Sequence, residues 1–198
     1  MTAPARKLAT YADIEAVPPH LVAEIIYGVL ETHPRPAGRH GTAAVELGFE
    51  LVGPFRRGRG GPGGWRFVVE PELHLDGNVV VPDIAGWRKE RLLHLPATAY
   101  FEIAPDWVCE ILSPSTTRLD RGPKRAIYGA AGVAFLWLLD PVERVLEAFQ
   151  LVSRKWELVG VATGDDQVKL PPFDAISFPL AELFPFDPPP STDATPQG

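Results

Sequence analysis

Cysteine is nearly absent: Cys109 is the only one in 198 residues. That excludes an internal disulfide framework and any cysteine-rich zinc site, and it fits a reducing compartment. Long hydrophobic runs are missing too. No apolar stretch approaches the ~18 residues that span a bilayer, and the N-terminus lacks the apolar core of a signal peptide. The expectation is a cytoplasmic protein with no membrane segment. Cationic excess is also lacking, since the formal net charge is −6. This argues against a surface that coats nucleic acid throughout, but not against local arginine contacts around a carboxylate site. No Gly-Lys-Ser/Thr closes a phosphate-binding loop, and no Gly-x-Ser-x-Gly elbow presents a serine nucleophile, so Ser113 and Ser115 suggest one only superficially. Internal repeats are absent.

What remains is 45% hydrophobic, enough for one α/β domain over residues 1–186. Residues 1–8 read as a loose tail, and the Pro-rich stretch 187–198 as disordered. Tyr11–His20 opens as a helical turn stopped by Pro18-Pro19. Leu21–Leu30 reads as a strand carrying Glu24 and turning at Gly28, after which Pro34 and Pro36 mark a loop. From His40, the residues Val45, Leu47, Leu51 and Val52 give an amphipathic helix weakened by Gly48 and Gly53. Arg56–Gly64 is too glycine-rich for regular structure. It reads as a mobile surface loop or as an arginine-bearing flap that touches phosphate through Arg57 and Arg59.

Trp65–Val69 and Glu72–Leu75 are strand-like, and Asp76-Gly77-Asn78 is a hairpin turn. Val79–Asp83 returns and continues through Ile84–Trp87. Trp107–Leu112 is a strand, Asp120–Ala131 a helix, and Phe135–Leu139 an apolar strand expected at the centre of the sheet. Val145–Leu151 and Trp156–Val161 form a hairpin around Ser153-Arg154, with one exposed face. Phe173–Phe184 is a C-terminal apolar segment. Phe178, Phe184 and Phe186 are expected to be exposed and to offer a homodimer interface.

Two of these strands each carry one acid where an apolar residue belongs. With period two, Asp83 shares a face with Val79 and Val81, and Glu110 shares one with Val108 and Leu112. An ionised carboxylate among aliphatic side chains needs a partner, a raised pKa or a metal. Two such acids on neighbouring strands are most simply explained by a shared cation. Asp120 suits an N-cap and Pro123 an opening helical turn, which places Lys124 against the positive end of the helix. That position becomes favourable if the amine reaches a carboxylate or a phosphate. Tyr128 follows one turn later on the same face. The plainer reading is a buried Glu110–Lys124 ion pair of purely structural value.

The set Pro82-Asp83, Glu110-Ile-Leu-Ser-Pro-Ser-Thr116, Asp120, Lys124, Tyr128, Gly132-Val133 and Trp137-Leu-Leu-Asp-Pro141 resembles the PD-(D/E)XK nuclease superfamily. It is most similar to the branch of restriction endonucleases labelled Uma-type (Uma-two). The resemblance runs from about Leu21 through the C-terminal strand. It implies a restriction-endonuclease-like α/β core: a mixed, curved central sheet flanked by helices, with the hairpin as an extension. It also implies Mg (or Mn) held by Asp83, Glu110 and the Ile111 carbonyl, with Glu24 completing the site and Lys124 as catalytic amine. DNA is the implied substrate and a homodimer the implied assembly. His40 matches a histidine at the start of the second helix. Arg118, Arg121 and Arg125 are expected as a phosphate-facing rim, or as a solvated basic face.

The superfamily's usual lysine lies two residues beyond the glutamate, where this chain has Leu112; the branch moves it to the next helix. Three readings follow. The first is a metal-dependent DNA endonuclease. The second is a catalytically inactive nucleic-acid- or partner-binding module of the same fold, and the third a hydrolase of a small phosphate compound.

Overall fold

The computed structural model describes residues 8–35 and 38–186; the tail expected at 187–198, the tail expected at 1–8 except for Leu8, and Pro36 of the expected loop lie outside the described residues. A short helix α1 (Tyr11–Glu15) precedes the hairpin β1 (Leu21–Ile26) and β2 (Val29–Pro34), and then α2 (Arg39–Leu51). Strands β3 (Trp65–Val69), β4 (Glu72–Leu75), β5 (Asn78–Val80), β6 (Ile84–Arg88), β7 (Tyr100–Phe101) and β8 (Trp107–Ile111) follow. Next come α3 (Thr117–Leu119), α4 (Arg125–Ala130), β9 (Phe135–Asp140), β10 (Val145–Val152) and β11 (Lys155–Thr163), then a small pair β12 (Gln167–Val168) and β13 (Phe178–Pro179).

The α/β expectation holds, with the strands divided between two principal sheets. A six-stranded sheet runs β11-β10-β9-β8-β6-β3, and a five-stranded sheet runs β2-β1-β5-β4-β7. In the larger sheet only β8 and β9 are parallel. These two strands sit in the middle and are buried almost throughout, which is why they read as unbroken apolar runs. The run expected to continue from Val79 through Trp87 instead changes sheet between β5 and β6. Pro82 stands at that break. It has no N–H to offer a ladder, so the chain leaves one sheet there and enters the other. Asp83 is therefore in a bend at the start of β6 rather than within a strand.

Alternation along β8 divides the core. Trp107, Cys109 and Ile111 face one cluster, built with Ala43, Leu47 and Leu51 of α2 and the C-terminal segment. Phe173 sits there, with the rings of Phe55, Trp65, Phe67, Trp107 and Trp137 around it. Val108 and Leu112 face the other cluster, with Ile127, Tyr128, Val133 and Leu138. Glu110 belongs to this second face.

Phe178 and Phe184 are buried in the protomer, and only Phe186 is exposed. The expected three-phenylalanine surface is thus corrected: the first two pack under the C-terminal turn because the apolar segment completes the α2 side of the core. Turn chemistry follows the sequence closely. Asp76 and Gly77 take positive φ between β4 and β5, as do Ser153 and Arg154 between β10 and β11, the pattern of two-residue hairpin turns. The helix expected over Asp120–Ala131 starts earlier, at Thr117, and carries a π turn over Asp120–Lys124. Asp120 is accordingly inside the helical run and not its N-cap. Pro123 explains the widened turn, since it cannot donate to the preceding turn.

Candidate active site

The bend at Asp83 places its carboxylate beside the end of β8. The Ile111 N–H donates to Asp83 Oδ2 at 2.6 Å, and His40 Nε2, in the first turn of α2, lies 3.1 Å from Oδ1. Because β6 and β8 are paired with Ile84 opposite Cys109, Asp83 and Glu110 come to one end of the same two strands. Glu110 is 2% exposed. Tyr128 donates its hydroxyl to Glu110 Oε1 at 2.5 Å, and Lys124 Nζ lies 2.9 Å from the same oxygen.

Lys124 is the hub. Its Nζ also lies 3.1 Å from Glu24 Oε1 and 3.3 Å from Asp120 Oδ1, and it donates to the Val81 carbonyl at 3.2 Å. The Val81 N–H in turn donates to Glu24 Oε1 at 2.7 Å. Val81 has left the β5 ladder because Pro82 follows, so its two backbone groups need partners. Glu24 from β1 and Lys124 from the helical run supply them. One ion pair therefore pins the junction between the two sheets and delivers an amine to Glu110.

The charges do not balance pair by pair. Burial works against the ionised form of Glu24, but the Lys124 ammonium, the His33 hydrogen bond and the Val81 N–H outweigh it and hold its pKa at about 2. For Glu110 burial wins over Lys124, with Asp120, Asp83 and Glu24 adding repulsion, and its pKa rises well above the usual carboxylate range. Burial raises Asp120 as well. Lys124 is opposed by burial, yet Glu110, Glu24 and Asp120 keep it firmly protonated. One ammonium offsets one carboxylate, Glu24, and leaves the others short of positive charge. Burial also pushes the Cys109 thiol up, consistent with an inert packing residue.

Tyr128, expected as a core or rim aromatic with an open role, is fully buried and orients Glu110. Tyr128→Phe leaves a buried oxygen with one donor fewer and is expected to cost about 1–3 kcal/mol, read from the urea midpoint.

A pocket of about 160 Å³ opens onto this cluster, lined among others by Asp83, Glu110, Asp120, Lys124, His33 and His40. Glu24 does not line it; it stands behind Lys124. Ile111 is at the end of β8 with its N–H committed to Asp83. Leu112, at the position of the superfamily's usual lysine, is buried in the apolar cluster with Tyr128, and the amine arrives from the following helix.

The predicted arginine rim is not gathered here. Arg121 pairs with Glu147 of β10 at 2.6 Å, Arg125 lies over the Phe149 ring at 4.2 Å, and Arg118 is exposed; none of the three lines the pocket. Arg35 does. Arg57 and Arg59 are exposed on the glycine-rich loop, away from the pocket.

The sequence reading missed His33 and misjudged Asp120. His33 pairs opposite Val22, two residues from Glu24 on β1, so its Nε2 stands 3.4 Å from Glu24 Oε2. The Tyr27-Gly28 turn and period-two alternation carry that information, since they set the register that brings His33 to Glu24's face. Asp120 and Lys124 are an i,i+4 pair, a relation visible once the helix begins before Asp120.

The oxygen-rich donor set suits a hard divalent cation. Asp83, Glu110 and Asp120 line the pocket with carboxylates, and the buried Asp120 Oδ1 has Lys124 Nζ 3.3 Å away as its ion-pair partner. Among the described residues no three His, Cys, Asp or Glu side chains form a ready metal cage. An ion held by so few protein groups would have to retain several waters, as magnesium does.

The family described as "Uma2: Putative restriction endonuclease" matches residues 8–181. The chain belongs to this family. It is also similar to the crystal structure of a putative nuclease belonging to DUF820 from Anabaena variabilis ATCC 29413. That likeness has 23% sequence identity and a TM-score of 0.67, covering 83% of this chain and 90% of that one. At this identity it shows the fold. No curated protein matches the chain. Membership of the Uma2 family agrees with the acid-and-lysine pocket in supporting a nuclease. Among the described residues no helix is long and apolar enough to cross a membrane.

Proposed function

We propose that the protein is a Mg-dependent DNA endonuclease whose cleavage centre is the Asp83–Glu110–Lys124 pocket. The observation that carries the reading is the Lys124 amine held 2.9 Å from Glu110 in a pocket that Asp83 also lines. The family's printed description supplies the substrate class.

Asp83 and Glu110, with the Ile111 carbonyl, are the residues that would hold the ion, and Mn would serve in place of Mg. Such an ion supplies Lewis acidity toward a phosphoryl oxygen and lowers the pKa of a coordinated water. Each protein group then has a task. His40 and the Ile111 N–H fix the two Asp83 oxygens, while Tyr128 fixes Glu110. Lys124 offers a positive charge where negative charge grows on the phosphate. Glu24 acts from behind, keeping Lys124 protonated and in place. The single domain over 1–186 and a homodimer complete the proposal.

Incubation of supercoiled plasmid with the protein and Mg is expected to yield nicked or linear DNA, and EDTA to stop it. No conversion under any divalent ion would leave the inactive binding-module reading in its place.

A further inference from the structure

A second feature lies at the far end of β6. Asp83 precedes this strand and Lys89 follows it, so about 20 Å of extended chain separates the two ends. There a groove of about 550 Å³ is lined by Arg56, Arg57, Arg66 and Lys89 together with the backbone of Gly63 and Gly64. Among the described residues no Asp or Glu lines it. Among the described residues Arg56, Arg57 and Arg66 make no ion pair, and Lys89 has only an exposed contact with Glu90 at 3.9 Å, a pairing of little strength.

The loop that forms the groove is tied down. Arg59 N–H donates to the Gly53 carbonyl, Gly63 N–H to the Pro54 carbonyl, and Lys89 N–H to the Gly64 carbonyl. Positive φ at Gly58, Gly60, Gly63 and Gly64 lets the chain fold back this tightly. The loop's glycines allow close approach to the backbone, and its hydrogen bonds hold neighbouring cations in one place. Like charges gathered so closely repel one another, in a chain whose net charge is −6. A polyanion laid across them removes that repulsion and releases counterions.

We infer that this groove binds the phosphate backbone of a DNA duplex away from the cleavage pocket, as an anchor that reads no sequence. The choice of DNA as the polyanion rests on the nuclease reading. A separation of about 20 Å corresponds to about six base-pair steps, a span that one duplex can cover from the pocket region to the groove. Contacts of this kind position a duplex, whereas base contacts specify it.

The test is fluorescence anisotropy with a labelled duplex and the full chain in EDTA, where no cleavage can intervene. The triple variant Arg56→Ala, Arg57→Ala, Lys89→Ala is compared with a control of equal charge change, Arg154→Ala, Lys155→Ala, Lys169→Ala. Thermal melts confirm that both fold. The groove variant is expected to lose at least about tenfold in affinity, with the salt slope reduced by about 2–3. The control is expected to match the wild type. Equal losses in both variants, or none in the groove variant, would overturn the assignment. The two proposals fail separately. Groove-specific loss with a plasmid that remains uncut keeps the groove and removes the nuclease, while unchanged binding with active cleavage does the reverse.

Discussion

Asp83→Asn is expected to abolish Mg-dependent plasmid cleavage while leaving the fold intact. Asn is isosteric and its oxygen can still accept the Ile111 N–H that Asp83 Oδ2 accepts at 2.6 Å, so the junction between β6 and β8 survives. What is lost is the charge of one of the carboxyl groups that would hold the ion. A hard cation depends on carboxylate charge for its affinity, and a loss of about 10²–10³ in rate is the scale for removing one electrostatic element of such a site. The side chain is 14% exposed, so a small change in melting temperature is expected. Wild-type cleavage rates in the variant would remove Asp83 from the mechanism.

The second large effect is on stability. Lys124→Met takes away the one ammonium that, among the described residues, contacts Glu24, Glu110 and Asp120, and it leaves these acids buried. Breaking a buried pair in this way costs about 3–5 kcal/mol at neutral pH. The sign with pH follows from the shifts. In the wild type Glu24 is held at about 2 against an ordinary 4.5. Its contribution is present above 4.5 and lost as pH falls toward 2. Without the lysine, burial raises Glu24 along with Glu110 and Asp120. A raised carboxyl favours the folded state only while protonated, so stability is lost as pH rises. The deficit of the variant should thus be smallest near pH 4 and widen toward pH 7 in urea denaturation. A deficit independent of pH would show that Lys124 does not neutralise the cluster.

Much of the fold was legible because its signals are local. β8 and β9 announce themselves as unbroken apolar runs, and Asp76-Gly77 demands a tight turn whatever lies around it. The acids Asp83 and Glu110 stood out because each interrupts an apolar pattern. Less legible was whatever depends on tertiary context. Pro82 signals a break in a ladder, but only the completed structure shows the chain passing there from one sheet to another. Phe178 and Phe184 look like surface aromatics until the C-terminal turn closes over α2. Pro123 reads as an opening residue of a helix, and the π turn that carries it inside the helix has no sequence signature strong enough to oppose that reading. The arginines near Lys124 shared its helix but not its face, since Arg121 and Arg125 turn toward Glu147 and Phe149 of β10.

The claim on which the account turns is that Asp83 and Glu110 hold a divalent ion beside Lys124. Crystals grown with Mn and measured at its absorption edge test it most directly. The account predicts an anomalous peak between the Asp83 and Glu110 carboxylates, lost in crystals of Asp83→Asn. Well-ordered carboxylates with no peak between them, or a peak bound elsewhere on the chain, would contradict it.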